Sequence, residues 1–139
     1  MAEPVTAEET EAERSCADVT TGEARYLMAL LDMQRESGGD PSQASLARHL
    51  KVSAPTALEM LRRLRTLGLV EDEAVRLTPA GTSAALVLSS RRRAALAIMQ
   101  DVLGIDPEHA EIEAAWLAAS ASPLLGRHLV GWRAHGTGA

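Results

Sequence analysis

The sequence predicts a mainly α-helical protein, with three helices and a short hairpin followed by a second half that is helical throughout. Three observations predict this. Apolar residues recur at helical spacing along most of the chain. Helix starts and stops are marked by Thr, Ser, Asp, Pro and Gly at the right offsets. One pair of short apolar segments, Leu69-Val70 and Val75-Arg76-Leu77, interrupts the pattern around a four-residue turn.

Residues 1–18 are rich in Ala, Glu and Thr without an apolar period, so a disordered acidic tail is expected, the alternative being a nascent helix that docks on a partner. The first firm helix starts at Thr20, where Thr20 and Glu23 fit a capping box and Tyr26, Leu27, Leu30 and Leu31 share a face. Ser37-Gly38-Gly39 ends it. A second, short helix starts near Ser42 and contains Leu46, Ala47 and Leu50. A third runs from Ser53 through Leu58, Leu61 and Leu64 to Leu67, where Gly68 stops it. The link around Lys51 and Val52 has the length of a helix-turn-helix turn. With the hairpin around Glu71-Asp72-Glu73-Ala74, residues 19–77 read as a winged helix-turn-helix.

Thr78-Pro79 starts a long helix that tolerates Gly81 and meets no breaker before Gly104. Asp106-Pro107 and Ser122-Pro123 start two more, the last reaching about Trp132. Residues 134–139 should fray. Leu86, Ile98, Met99, Val102, Leu103, Ile112, Trp116 and Leu117 are more apolar surface than these helices cover among themselves, so residues 78–133 are expected to form a helical dimerisation domain of a homodimer.

The net charge of −5 is unevenly placed. Residues 1–21 hold six carboxylates against Arg14 alone, which accounts for the whole excess. Residues 42–66 hold Arg48, Lys51, Arg62, Arg63 and Arg65 against Glu59, a local balance of +4 that suits phosphate. Double-stranded DNA is therefore the expected partner. Ser53, Pro55, Thr56 and Glu59 lie at the end of the third helix that enters a major groove, and they are the candidate base-reading residues. The five cations are the candidate backbone contacts. The acidic wing opposes this reading and favours an alternative, a protein-interaction module that has abandoned DNA.

No apolar run spans a membrane and the first residues lack a signal-peptide pattern, so a cytoplasmic location is expected. Cys16 has no partner at metal-ligand spacing. His49, His109, His128 and His135 have no carboxylate or nucleophile at informative spacing, and there is no Gly-rich phosphate loop, so no enzymatic activity is expected.

From Thr20 to Leu129 the order of motifs resembles the family of metal-dependent regulators that includes the diphtheria toxin repressor and the manganese transport regulator. The matching segments are VSAPTALEMLRRLRTLGLVE (Val52 to Glu71), RLTPAG (Arg76 to Gly81), VLGID (Val102 to Asp106) and EAAWLAASASPLLGRHL (Glu113 to Leu129). The resemblance implies a DNA-binding repressor in a two-domain form, without the family's third, SH3-like domain because the chain ends soon after Leu129. It places the family's metal-ligand positions on Arg25, Arg92, Leu96, Glu111, Ala115, Ala118 and Ala119. Ala and Leu cannot coordinate, and Arg repels a cation. No cofactor is therefore expected, with manganese or iron, at a relocated site of His109, Glu111, Glu113 and Met28, as the alternative. Arg25, Arg92, Glu111 and Glu113 are expected to be solvated surface charges, the alternative being that a pair of Arg25 or Arg92 with Glu111 or Glu113 clamps the helices in the metal's place.

Overall fold

The computed structural model describes residues 10–135. Its helices are α1 (Glu11–Ala17), α2 (Thr21–Ser37), α3 (Gln43–Leu50), α4 (Ala54–Thr66), α5 (Pro79–Ala97), α6 (Pro107–Ser120) and α7 (Pro123–His135), with a π-helical turn over Ile98–Val102 after α5. Among the described residues they fall into two compact units, one of residues 22–86 and one of residues 10–21 with 87–135. The fold class is thus the expected one, mainly α with a helix-turn-helix near its start.

In the first unit α3 and α4 pack on each other through Leu46, Ala47, Ala57, Leu61 and Leu64, all buried on the faces that the apolar spacing marks. Ser42 and Ser53 cap the two helices, each accepting a backbone N–H three residues on. The turn between them hinges on Lys51, a non-glycine residue in the left-handed region (φ 57°), whose N–H returns to the carbonyls of Ala47 and Arg48. Gly68 (φ 75°) ends α4, and the Leu69 N–H donates back to the Leu64 carbonyl at 2.9 Å, the six-residue closure that a left-handed glycine permits. The expected hairpin is reduced to a single antiparallel bridge between Val70 and Leu77.

The seam between the units lies within α5, after Leu86, rather than before Thr78. The first turns of α5 belong with the wing because they are bonded to it. Thr78 donates its N–H to the Leu69 carbonyl (3.1 Å) and its hydroxyl to the Gly68 carbonyl (2.7 Å), and Gly81 packs on the Leu69 backbone.

The second unit corrects the expectation of a disordered tail over 1–18. Residues 1–9 lie outside the described residues, but Glu11–Ala17 form α1, opened by a capping box of Thr10 and Glu13 and laid against α7. Glu13 and Cys16 are buried there. Glu13 accepts from Arg127 Nε at 2.8 Å and Nη2 at 3.2 Å, and this pairing holds its carboxyl down to about 2. Burial pushes the Cys16 thiol up to about 11, which makes it inert at neutral pH. At the other end α7 runs to His135, so Ala134 and His135 of the expected frayed end 134–139 are helical, and 136–139 lie outside the described residues.

α6 buries its small residues rather than its large apolar ones. Ala110, Ala114 and Ala118 form its buried stripe, while Ile112 and Trp116, 66% and 60% exposed, point outward. Small side chains let α6 approach its neighbours closely, and the large apolar ones are left exposed.

Candidate nucleic-acid interface

A helix-turn-helix presents the N-terminal end of its second helix, where unbonded N–H groups and the positive end of the dipole favour an electron-rich partner. Here that end is the first turn of α4, and Ser53, Pro55 and Thr56 are all exposed on it. Ser53 does two things at once: its Oγ accepts the Thr56 N–H (3.2 Å) and lies 2.8 Å from Thr56 Oγ1. The two hydroxyls therefore form one polar cluster with fixed geometry.

One turn on, Glu59 is exposed and 3.6 Å from Arg63 in an i, i+4 pair. Arg62 and Arg63 share the exposed side of α4, and Arg48 and Lys51 are exposed at the end of α3 and in the turn. Ala57, Leu61 and Leu64 point the other way into the core. The structure thus brings together eight of the nine residues that the sequence nominates. The ninth, Arg65, does something else. It is half-buried and donates from Nε to the Glu71 carbonyl (2.7 Å) and from Nη2 to the Ala74 carbonyl (3.3 Å), so it braces the wing turn from α4.

The wing ends its short span in exposed Asp72 and Glu73. Arg76, its one cation, is held by Asp40, with Nε 3.0 Å from each carboxylate oxygen and Nη2 2.7 Å from Oδ2, and lies 3.6 Å from Glu71. Sequence reasoning missed Asp40 entirely. Its partner lies 36 residues away, and no local pattern signals the pairing.

Residues 18–76 match the family model of the iron-dependent repressor N-terminal DNA-binding domain. Over that segment the chain is similar to the DNA-binding domain of the iron-dependent repressors. It is 31% identical over 84 residues to the diphtheria toxin repressor of Corynebacterium glutamicum and 30% identical over 84 residues to that of Corynebacterium diphtheriae. Each match covers 58% of this chain but only 36% and 37% of the relative, so the likeness spans little over a third of those repressors. Among solved structures, a manganese-dependent transcriptional repressor in complex with manganese is 32% identical with a TM-score of 0.69, over 78% of this chain and 51% of that one. The manganese regulator SloR, at 23% identity and a TM-score of 0.71 over 81% and 54% of the two chains, shares the fold. The relatives are repressors and regulators by name, in agreement with the expectation of a non-enzyme. None of the helices among the described residues is long and apolar enough to cross a membrane.

These relatives overturn one expectation. A cofactor-free regulator is not what they describe, since the repressor of 32% identity is manganese-dependent by name and carries manganese. The expectation of metal independence is withdrawn, and with it the alternative of an arginine-carboxylate clamp in the metal's place. The side chains at the positions implied by the resemblance nevertheless do not fit a metal. Ala118 is fully buried as packing, Ala115, Ala119 and Leu96 offer no donor, Arg25 is an exposed cation, Arg92 is half-buried, and Glu111 alone supplies oxygens. Of the relocated set, His109 Nδ1 is taken up by Asp106 at 2.7 Å, and Met28 is buried at 1% exposed. Among the described residues no three His, Cys, Asp or Glu side chains are grouped to hold a metal ion.

Proposed function

We propose that this chain is a sequence-specific DNA-binding regulator of transcription, acting as a repressor and as a two-fold dimer. The observation that supports it best is the exposed, Ser53-capped first turn of α4, flanked by Arg48, Lys51, Arg62 and Arg63 on a segment similar to the iron-dependent repressor DNA-binding domain. Ser53, Pro55, Thr56 and Glu59 read base edges, and Glu59 can accept a hydrogen bond from a cytosine amino group. The cations hold phosphates and set the salt dependence. Sequencing the genomic fragments that the purified protein selects, with and without manganese, tests the reading. Enrichment of a palindromic motif in either condition supports it, and selection no better than random DNA in both rejects it.

The division of labour predicts distinct mutant phenotypes. Arg63→Ala weakens binding to all duplexes and flattens the salt dependence by about one ion. Thr56→Ala or Glu59→Ala instead changes which sequences are preferred, by about 1–3 kcal/mol per lost base contact. Fluorescence anisotropy on the selected site and on point-substituted sites separates the two effects.

The dimer is supported by the apolar surface of the second unit, where Val102, Leu103, Ile112, Trp116 and Leu124 are each 58% exposed or more. Reading a palindrome needs two copies. Light scattering at micromolar concentration is expected to give twice the protomer mass. Trp116→Asp, which places a charge on that face, is expected to shift it toward the protomer mass.

A second reading, an interaction module for protein partners, is favoured by the carboxylates of Asp72 and Glu73 at the wing tip. Retention on heparin or random duplex at low salt separates the two, because a module without a phosphate-binding face elutes early.

A further inference from the structure

The wing segment 70–77 contains three carboxylates and a single cation, Arg76. A guanidinium engages carboxylate and phosphate with the same bidentate fork, so a carboxylate already on that fork competes directly with phosphate. Asp40 sits there with both oxygens, and Glu71 closes the other side at 3.6 Å. The hydrogen bonds from Arg76 hold the Asp40 carboxyl below its ordinary range, and Asp40 in turn raises Arg76, so the pair stays charged at neutral pH. Its side chains are 48% and 35% exposed, which leaves Arg76 within reach of an incoming ligand. Arg65 meanwhile fixes the turn through the Glu71 and Ala74 carbonyls. The wing is therefore held from two sides, by α4 through Arg65 and by the α2–α3 loop through Arg76.

We propose that Arg76 is the wing's phosphate-binding group and that Asp40, assisted by Glu71, is an intramolecular competitor that keeps it in check. The inference rests on the DNA-binding reading above and adds a regulating contact to it. An exposed pair of this kind is weakly held. DNA can thus displace Asp40, and the displacement lowers the observed affinity rather than abolishing it. Asp40 acts through Arg76, as a positioning residue.

Removing a negative charge anywhere near DNA also raises affinity, so the test is a cycle. Wild type, Asp40→Asn, Arg76→Gln and the double variant are titrated against the genome-selected duplex by anisotropy at several salt concentrations, with melting temperatures measured in parallel. Asp40→Asn is expected to bind about threefold to tenfold tighter, with a salt slope steeper by about one, and the gain is expected to vanish in the Arg76→Gln background. Asp72→Asn makes the same charge change on the wing tip, and any gain it brings is expected to survive Arg76→Gln. If Asp40→Asn binds as wild type does, or if its gain persists without Arg76, the proposal is overturned while the DNA reading stands. A purely structural staple predicts the opposite sign, with lower melting temperature and weaker binding together. Should Asp40→Asn unfold, Glu71→Gln is the second variant, expected to give a smaller gain that also depends on Arg76, and a loss or no change there overturns the proposal. If none of the proteins binds any duplex, the DNA reading fails and takes this proposal with it.

Discussion

Gly81→Ala is expected to cost about 3 kcal/mol of stability, although replacing a helical glycine by alanine ordinarily stabilises by about 0.5–1 kcal/mol. Gly81 stands in the first turn of α5, and on sequence alone it is a tolerated weak point in a long helix. In the structure, a Cβ there would overlap the Leu69 carbonyl oxygen and lie 2.8 Å from the carbonyl carbon. That oxygen cannot retreat, because it accepts the Thr78 N–H at 3.1 Å, and Leu69 is itself buried and bonded back to Leu64 at 2.9 Å. A clash of backbone on backbone, unlike one with a flexible side chain, is relieved only by moving the helix away from the wing. The overlap therefore outweighs the propensity gain. Gly131→Ala is the control: it lies in α7, a Cβ there meets nothing within 4 Å, and about 0.5–1 kcal/mol of stabilisation is expected. Urea unfolding followed by circular dichroism reads both. If Gly81→Ala is as stable as wild type, the close approach of α5 to Leu69 is not a constraint on this fold.

The contrast between these two glycines shows how far the sequence reaches. Helix starts were legible because their chemistry is local: Ser53, Asp106 and the prolines after them act on N–H groups within three residues. The exposed face of α4 was legible for the same reason, since the spacing of Ala57, Leu61 and Leu64 settles which side is buried. What was not legible depends on partners far along the chain. Arg65 looks like one more cation on a basic helix until the carbonyls of Glu71 and Ala74 arrive beneath it. On α6 the exposure of Ile112 and Trp116 was legible as apolar surface in excess of what the helices cover, whereas the alanine stripe that close packing buries in their place carries no local signal. α1 had a local signal that composition concealed, because Thr10 and Glu13 stand at capping-box spacing within a run that otherwise reads as a polar tail.

α1 also sets the second large effect, which depends on pH. A seven-residue helix is too short to persist alone, so it stays folded only while docked on α7. Glu13 anchors it on Arg127, with side chains 10% and 20% exposed. The hydrogen bonds from Arg127, opposed in part by burial, lower the Glu13 carboxyl from 4.5 to about 2. A carboxyl depressed on folding stabilises the folded state above its unfolded value and loses that contribution as pH falls through the folded one. The contribution is thus complete above about pH 5 and gone near pH 2. Its size, from the two values, is about 3 kcal/mol. Glu13→Gln keeps an oxygen for the Thr10 N–H but loses the charge, so it is expected to unfold about 2–3 kcal/mol more easily than wild type at pH 7. The difference is expected to shrink steadily below pH 4.5 and to disappear near pH 2. Trp116 and Trp132 both lie in the second unit and report its unfolding by fluorescence. Cys16 gives an independent readout at pH 8, since a thiol 5% exposed in wild type should become reactive toward an aromatic disulfide when α1 undocks. A pH-independent difference between the two proteins, or a Cys16 as protected in Glu13→Gln as in wild type, would show that apolar packing rather than the ion pair holds α1 in place.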